Sequence, residues 1–252
     1  MSAEAEDRRG WVSAPSIDSS LGLKVLPTVL SLIAGSVDVI CFLGLGGLFT
    51  AHITGNLVIL AAHVANGGSA QLAPILSVPV FVAVLAMTRL LASGLEAVGL
   101  ASLRPLLALQ LLLLACFLAL CAAAGPGIDT NAPNAIIAGM LGVAAMAVQN
   151  ALAQISVRGA PSTAVMTTNI TRFVMDVGTV MLGREPEEIA RARNRAKRAW
   201  PAIVGFAVGC GLGAVCEASF GLLSLELPVG LALLALALGS SAGRAKPGID
   251  HR

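Results

Sequence analysis

Between Val25 and Thr88 the chain carries one formally charged residue, Asp38. So long a run with a single charge cannot form the surface of a soluble domain, because water-facing residues have to come from somewhere. The rest of the chain does not supply them. Hydrophobic residues make up 56% of the 252 and charged residues only 12%, about half of the roughly 25% usual in soluble domains. The net charge of +2 is too small to argue for polyanion binding. An ordinary cytosolic enzyme, a disordered chain and a nucleic-acid binder are therefore excluded, and a polytopic, all-α membrane helix bundle is expected, with the lipid bilayer as its solvent.

Eight apolar segments follow one another: about Val25–Leu48, His52–Ala65, Pro74–Ser93, Leu106–Ala124, Ala135–Ile155, Ala164–Leu182, Trp200–Phe220 and Leu227–Leu238. A full crossing takes about 20 apolar residues, so the second and the last are short. Polar residues 1–23 read as a cytoplasmic tail without the basic start and apolar run of a cleaved signal. Residues 24–243 form the membrane domain, 184–198 a charged cytoplasmic loop and 244–252 a C-terminal tail. Basic residues gather around Arg8, Arg9 and Lys24, around Arg89 and Arg104, at Arg158, from Arg184 to Arg198, and at Arg244 with Lys246. Positive charge favours the cytoplasmic side. Six full crossings, with the second and sixth segments re-entrant or broken, put every cluster on that side and both termini in the cytoplasm. Eight crossings would leave Arg104 and Arg158 outside.

The two odd segments resemble each other. One reads Ile53-Thr54-Gly55-Asn56-Leu57 and the other Met166-Thr167-Thr168-Asn169-Ile170; each follows a span with a polar cluster, Asp38 or Gln149-Asn150, and precedes two more spans. The chain thus reads as a two-fold repeat, about 25–124 and 135–242. Three crossings per unit would invert the copies, as in many secondary transporters; four would leave them parallel.

Gly35-Ser36-Val37-Asp38, the stretch Phe42 to Phe49, and Thr54-Gly55-Asn56 resemble the opening motif of the YoaK-like family, a bacterial family of unknown function. Gln149-Asn150-Ala151, Pro161-Ser162-Thr163 and Thr167 to Thr171, followed by Asp176, resemble its second motif, with Thr168 where the family usually has glycine. The resemblance spans about Leu26 to Leu238. It implies a six-span protein of the bacterial inner membrane and carries no activity with it.

An intramembrane carboxylate is costly unless paired, hydrated or protonated, and such residues usually face a bundle interior or cavity. Asp38 is accordingly expected either to hold a proton or cation or to bond a neighbouring segment. Thr54, Asn56, Thr167 and Asn169 suit helix starts and breaks, whose unpaired N–H groups present a positive dipole end to a solute. With Asp38, Gln149 and Asn150 they form the expected substrate site for a small molecule or ion. Arg172 and Asp176, at i and i+4, are expected to pair, as structural neutralisation or as a gate. Gly205, Gly209 and Gly213 form GxxxG steps for close helix packing, within the chain or in a homodimer. His52 and His63 stand about three turns apart, too far to share one metal ion on a continuous helix. Cys41, Cys116, Cys121, Cys210 and Cys216 form no CxxC pair and read as small hydrophobes. No catalytic constellation, metal site, cofactor motif or Walker A loop is present. A small-solute transporter or channel is the leading expectation, ahead of a non-transporting subunit and of an enzyme acting on a lipid-like substrate.

Overall fold

The computed structural model describes residues 21–67, 71–125, 127–156 and 166–242. The N-terminal tail, the link with Arg158, Pro161, Ser162 and Thr163, and the C-terminal tail lie outside the described residues. Eight α-helices are described: α1 (Leu21–Gly44), α2 (Ile53–Ala65), α3 (Leu72–Ala97), α4 (Leu103–Ala124), α5 (Pro133–Ser156), α6 (Met166–Leu182), α7 (Pro186–Phe220) and α8 (Glu226–Ala242), with a 3-10 turn at Gly221–Leu225 between the last two. Helix is the economical answer to an apolar surrounding, since it satisfies its own backbone groups.

Five helical runs are long and apolar enough to cross a bilayer: Lys24–Gly44, Leu72–Ala97, Leu103–Ala124, Pro133–Ser156 and Pro186–Ser240, the last running through α7, the 3-10 turn and α8. Their outer faces are apolar too. Val82, Met87 and Leu90 of α3, Leu112 of α4 and Val215 of α7 all stand exposed, as residues facing lipid must. The chain is a multi-pass membrane protein.

The centre of the bundle is α1 with α5. Leu26, Leu30, Ile33, Val37 and Ile40 of α1 are buried with Met146, Val148 and Leu152 of α5, Phe117 of α4, and Ala232 and Ala235 of α8. Neighbouring helices are α1 with α7, α8 and α5; α5 with α3 and α4; α4 with α8; α2 with α3; and α6 with α7.

Named contacts fix the helix directions. Gly205, Gly209 and Gly213 of α7 lie against the backbone of Thr28, Leu32 and Ser36 of α1 in the same order, so these helices run parallel. Gln149 of α5 meets the carbonyl of Leu30, and Gly139 meets Leu48, so α5 runs opposite to α1. Gln110 meets Gln149, and Ser102 meets Ser156, which sets α4 against α5. Arg104 reaches the carbonyl of Ser240, and Leu107 touches Gly239, which sets α8 against α4. Hence α1, α4 and α7 all run toward one end, marked by Gly44, and α5 and α8 run toward the other, marked by Ser102. Ser77, in the second turn of α3, bonds Asn56 near Phe49, so α3 also starts from the Gly44 end.

The two short helices behave differently. The residues from Leu45 to His52 turn back into the bundle, and α2 then returns toward the Gly44 end. Gly46 and Gly47, at φ 68° and 87°, make the reversal in a region disfavoured for other residues. Along the α6–α7 hairpin, Gly183 lies against Ile189 and Asp176 bonds Arg195, an antiparallel order, so α6 leads toward the Ser102 end.

One expectation fails. Arg184 to Arg198 was expected to be a loop, yet from Pro186 onward it is the first part of α7. Proline at the helix start and Glu187 and Glu188 in the first turn favour helix initiation, and an alanine-, arginine- and lysine-rich run propagates it.

A side chain at Gly209 would meet the carbonyl of Leu32, whereas one at Gly211 meets nothing. Gly209→Leu should destabilise the protein by about 1–3 kcal/mol or more, read as a lowered Tm in detergent, while Gly211→Leu leaves it near wild type. Equal effects would mean that the α1–α7 approach does not contribute.

Candidate functional site

The segment joining α1 to α2 leaves helical geometry inside the bundle, where each unsatisfied N–H costs several kcal/mol. Two side chains satisfy it. From α1, Asp38 turns both oxygens onto the segment. Its Oδ1 accepts from Thr50 N at 2.8 Å, Thr50 Oγ1 at 2.9 Å and Ala51 N at 2.6 Å, and its Oδ2 accepts from His52 N at 3.2 Å. The His52 ring completes the set, with Nδ1 at 2.5 Å from Oδ2. From α2, Asn56 closes the other side: its Oδ1 accepts from Phe49 N, and its Nδ2 donates to Phe49 O and to Ser77 Oγ, each at 2.8 Å. Asp38 and Asn56 are buried, while a third of the His52 side chain remains accessible beside Phe49 and Phe206.

Such bonds to a carboxylate are stronger than neutral ones, and five of them offset the cost of burying its charge. The Asp–His pair is the arrangement that orients an imidazole for proton transfer.

A second polar connection ties three helices together. Gln110 Nε2 of α4 donates to Gln149 Oε1 of α5 at 2.7 Å, and Gln149 Nε2 donates to the Leu30 carbonyl of α1 at 3.0 Å. Asn150 bonds the carbonyl of Met146 within its own helix. Asn169 is buried in the first turn of α6, with a long contact from its Nδ2 to the Met166 sulfur.

The expected substrate residues are therefore not gathered in one place. Asp38 and Asn56 share one cluster. Gln149 belongs to a separate interhelical bond, Asn150 bonds within α5, and Asn169 lies on α6. Thr54 and Thr167, each the second residue of its helix, are exposed, and neither side chain bonds a backbone N–H among the described residues.

The expected pair of Arg172 with Asp176 does not form. Asp176, buried on α6, is held by Arg195 of α7, whose Nε donates at 3.0 and 3.2 Å and Nη2 at 2.5 Å. Arg172 points outward, exposed. Because residues 184–198 are helical, α7 brings a guanidinium across from Asp176, and its Nε and Nη2 engage the carboxylate together.

The profile of a family described as proteins of unknown function, DUF1275, matches residues 26–238. The chain belongs to this family, the YoaK-like one. No curated protein and no solved structure matches it. The stretch that resembles the family's opening motif gains a physical content here, since its Asp38, Phe49 and Asn56 form, with Thr50, one clasp around a non-helical turn.

One residue escaped the sequence reading. Glu217 lies one turn before the end of α7, partly buried, and no bond to its carboxylate exists among the described residues. The available signal was a lone carboxylate near the end of an otherwise uncharged apolar span.

Asp38→Ala leaves three backbone N–H groups and His52 without their acceptor, and should destabilise by about 3–5 kcal/mol, the range for breaking a buried charge pair. Asn56→Ala should cost about 1–3 kcal/mol. Hydrogen exchange in detergent provides the local check: protection of residues 49–52 should fall in both variants while that of α5 persists. Unchanged protection there would contradict the clasp.

Proposed function

We propose that the chain is a six-span transporter or channel for a small solute, built as an inverted two-fold repeat and held here with its polar break closed. The observation that carries the reading is the pattern of helix neighbours. Exchanging α1 with α5, α2 with α6, α3 with α7 and α4 with α8 converts every pairing of helices into another that exists: α1–α7 becomes α5–α3, α4–α5 becomes α8–α1, α2–α3 becomes α6–α7, while α4–α8 and α1–α5 map onto themselves. Each helix also runs opposite to its counterpart. Inverted repeats around paired broken helices are a recurrent transporter plan, with solute bound near the midplane. The helix directions support six crossings, with α2 and α6 re-entrant.

In this reading the Gly44 end faces outward. The described arginines and lysines support that assignment, for Lys24, Arg89, Arg104 and the first part of α7 all belong to the Ser102 end, which positive charge marks as cytoplasmic. The bacterial inner membrane is the proposed location. Asp38 with His52 is the proton-holding pair, and Thr54 and Thr167, exposed at the first turns of the two returning helices, are solute-facing. The reading assigns no enzymatic activity. A non-transporting subunit is the second reading, favoured by the complete pairing of Asp38, Asn56 and Gln149 inside the bundle.

Single cysteines at Asn66, Arg104 and Arg158, in a background lacking the five native ones, test the topology in intact cells. Labelling from outside is expected at Asn66 alone; labelling at Arg104 and Arg158 but not Asn66 would mean eight crossings and parallel repeats. Transport is tested in proteoliposomes carrying an internal pH dye, challenged with alkali cations, ammonium, small amines, amino acids and carboxylates. At least one should move, and His52→Gln should abolish any coupled proton flux. Silence across the panel with correctly inserted protein would favour the subunit.

A further inference from the structure

Beyond the polar clasp, a separate cavity of about 420 Å³ opens at the Gly44 end, lined by residues of α1, α4, the 127–128 segment, α7 and the 3-10 turn. We infer that this cavity is a binding site for a small organic ammonium ion, with Glu217 as the anionic anchor. Four observations converge on it.

First, Glu217 lines the cavity, and its carboxylate has no ionic or hydrogen-bonding partner among the described residues. Its Oε1 stands 3.5 Å from the place a Cβ on Gly44 would occupy, so it sits against the end of α1 across the mouth of the cavity. A partly buried carboxylate at the membrane boundary is costly without a counter-charge.

Second, three helices point their C-termini at the same space. Gly44 ends α1, Cys121, Ala122 and Gly125 belong to the end of α4, and Glu217 and Phe220 to the end of α7. Each helix C-terminus carries a partial negative charge of roughly half an electron. At the end of α4 no backbone N–H cap is found among the described residues.

Third, the whole end is anionic. Its charged residues among those described are Asp129, Glu217 and Glu226, with no lysine or arginine and one histidine, His63, while Lys24, Arg89, Arg104 and the basic first part of α7 lie at the opposite end. A one-signed field at a low-dielectric opening concentrates ions of the opposite sign.

Fourth, the walls are apolar. Ile128, Phe220, Leu222 and Leu223 line the cavity, which suits an alkyl body and gives the cation an aromatic face. A hard divalent ion needs six or more oxygen ligands. Among the described residues no group of three His, Cys, Asp or Glu side chains comes together, so an organic cation fits better than a metal ion. This site does not depend on the transport reading; it requires only the cavity and its charge.

The test uses purified full-length protein in detergent, titrated with n-butylammonium chloride and, separately, with the neutral isostere 1-butanol, following thermal stabilisation. Saturable stabilisation by the ammonium alone is expected, with an apparent affinity at least tenfold weaker in Glu217→Gln. Ala122→Phe, which keeps the carboxylate but fills the cavity, should weaken it as much and decides the matter if Glu217→Gln does not fold. Asp38→Asn, where it folds, should leave the affinity unchanged, so that loss of transport and loss of this site are told apart. No saturable effect on the wild type, an equal effect of butanol, or undiminished affinity in Glu217→Gln or in Ala122→Phe would overturn the assignment.

Discussion

A polypeptide that abandons helix inside a hydrocarbon layer must find acceptors for its N–H groups, and this protein answers with one carboxylate. Asp38 takes the backbone of Thr50, Ala51 and His52 together with the Thr50 hydroxyl and the His52 ring. A neutral side chain has too few lone pairs for that task; an ionised carboxylate has about four acceptor sites. The charge is thus a consequence of the turn. Asn56 then performs on Phe49 what a neighbouring strand would do, giving one acceptor and one donor to the same residue. Through Ser77 the clasp reaches α3, so α1, α2 and α3 take their relative positions from one polar knot.

The knot presupposes a tightly packed α1. Its neighbour α7 approaches so closely that Gly205, Gly209 and Gly213 sit against its backbone, and Gly35 returns the contact from α1 onto Phe206 and Cys210 of α7. In lipid the hydrophobic effect does little to hold helices together, and close backbone approach with its dispersion contacts takes its place. That approach also carries Phe206 beside the His52 ring. Glycine spacing on α7 therefore bears directly on how much of the imidazole is left accessible.

Much of this was readable in the sequence, and the failures have physical causes. The apolar runs announced the helices because lipid-facing and core-facing residues are both apolar. The Thr54-Gly55-Asn56 motif announced a break, since such residues suit helix starts, and a bond from Asp38 to a neighbouring segment was one of its two expected readings. What the sequence could not rank was competition between partners. Arg172 has the right spacing for Asp176, but a residue on another helix, Arg195, has the better geometry, and only the hairpin of α6 and α7 reveals it. The stretch after Arg184 looked like a loop because it is charged, although charge sets where a segment lies and propensity sets its conformation. Thr54 and Thr167 looked like caps, yet the capping is done from α1 for the first break. Glu217 was hidden by the apolar average of its own span.

Asp38 and Glu217 show how the same functional group takes opposite roles at different depths. Both are carboxylates near the ends of parallel helices packed on each other. Asp38 lies deeper, where water cannot share the load, and the chain brings five donors to it. Glu217 lies at the rim, where α1, α4 and α7 end together, and there the fold supplies negative helix ends and apolar walls. The first environment neutralises a charge with donors from the chain itself. The second accumulates negative potential around a carboxylate that the chain leaves unmatched, and the matching charge has to come from solution.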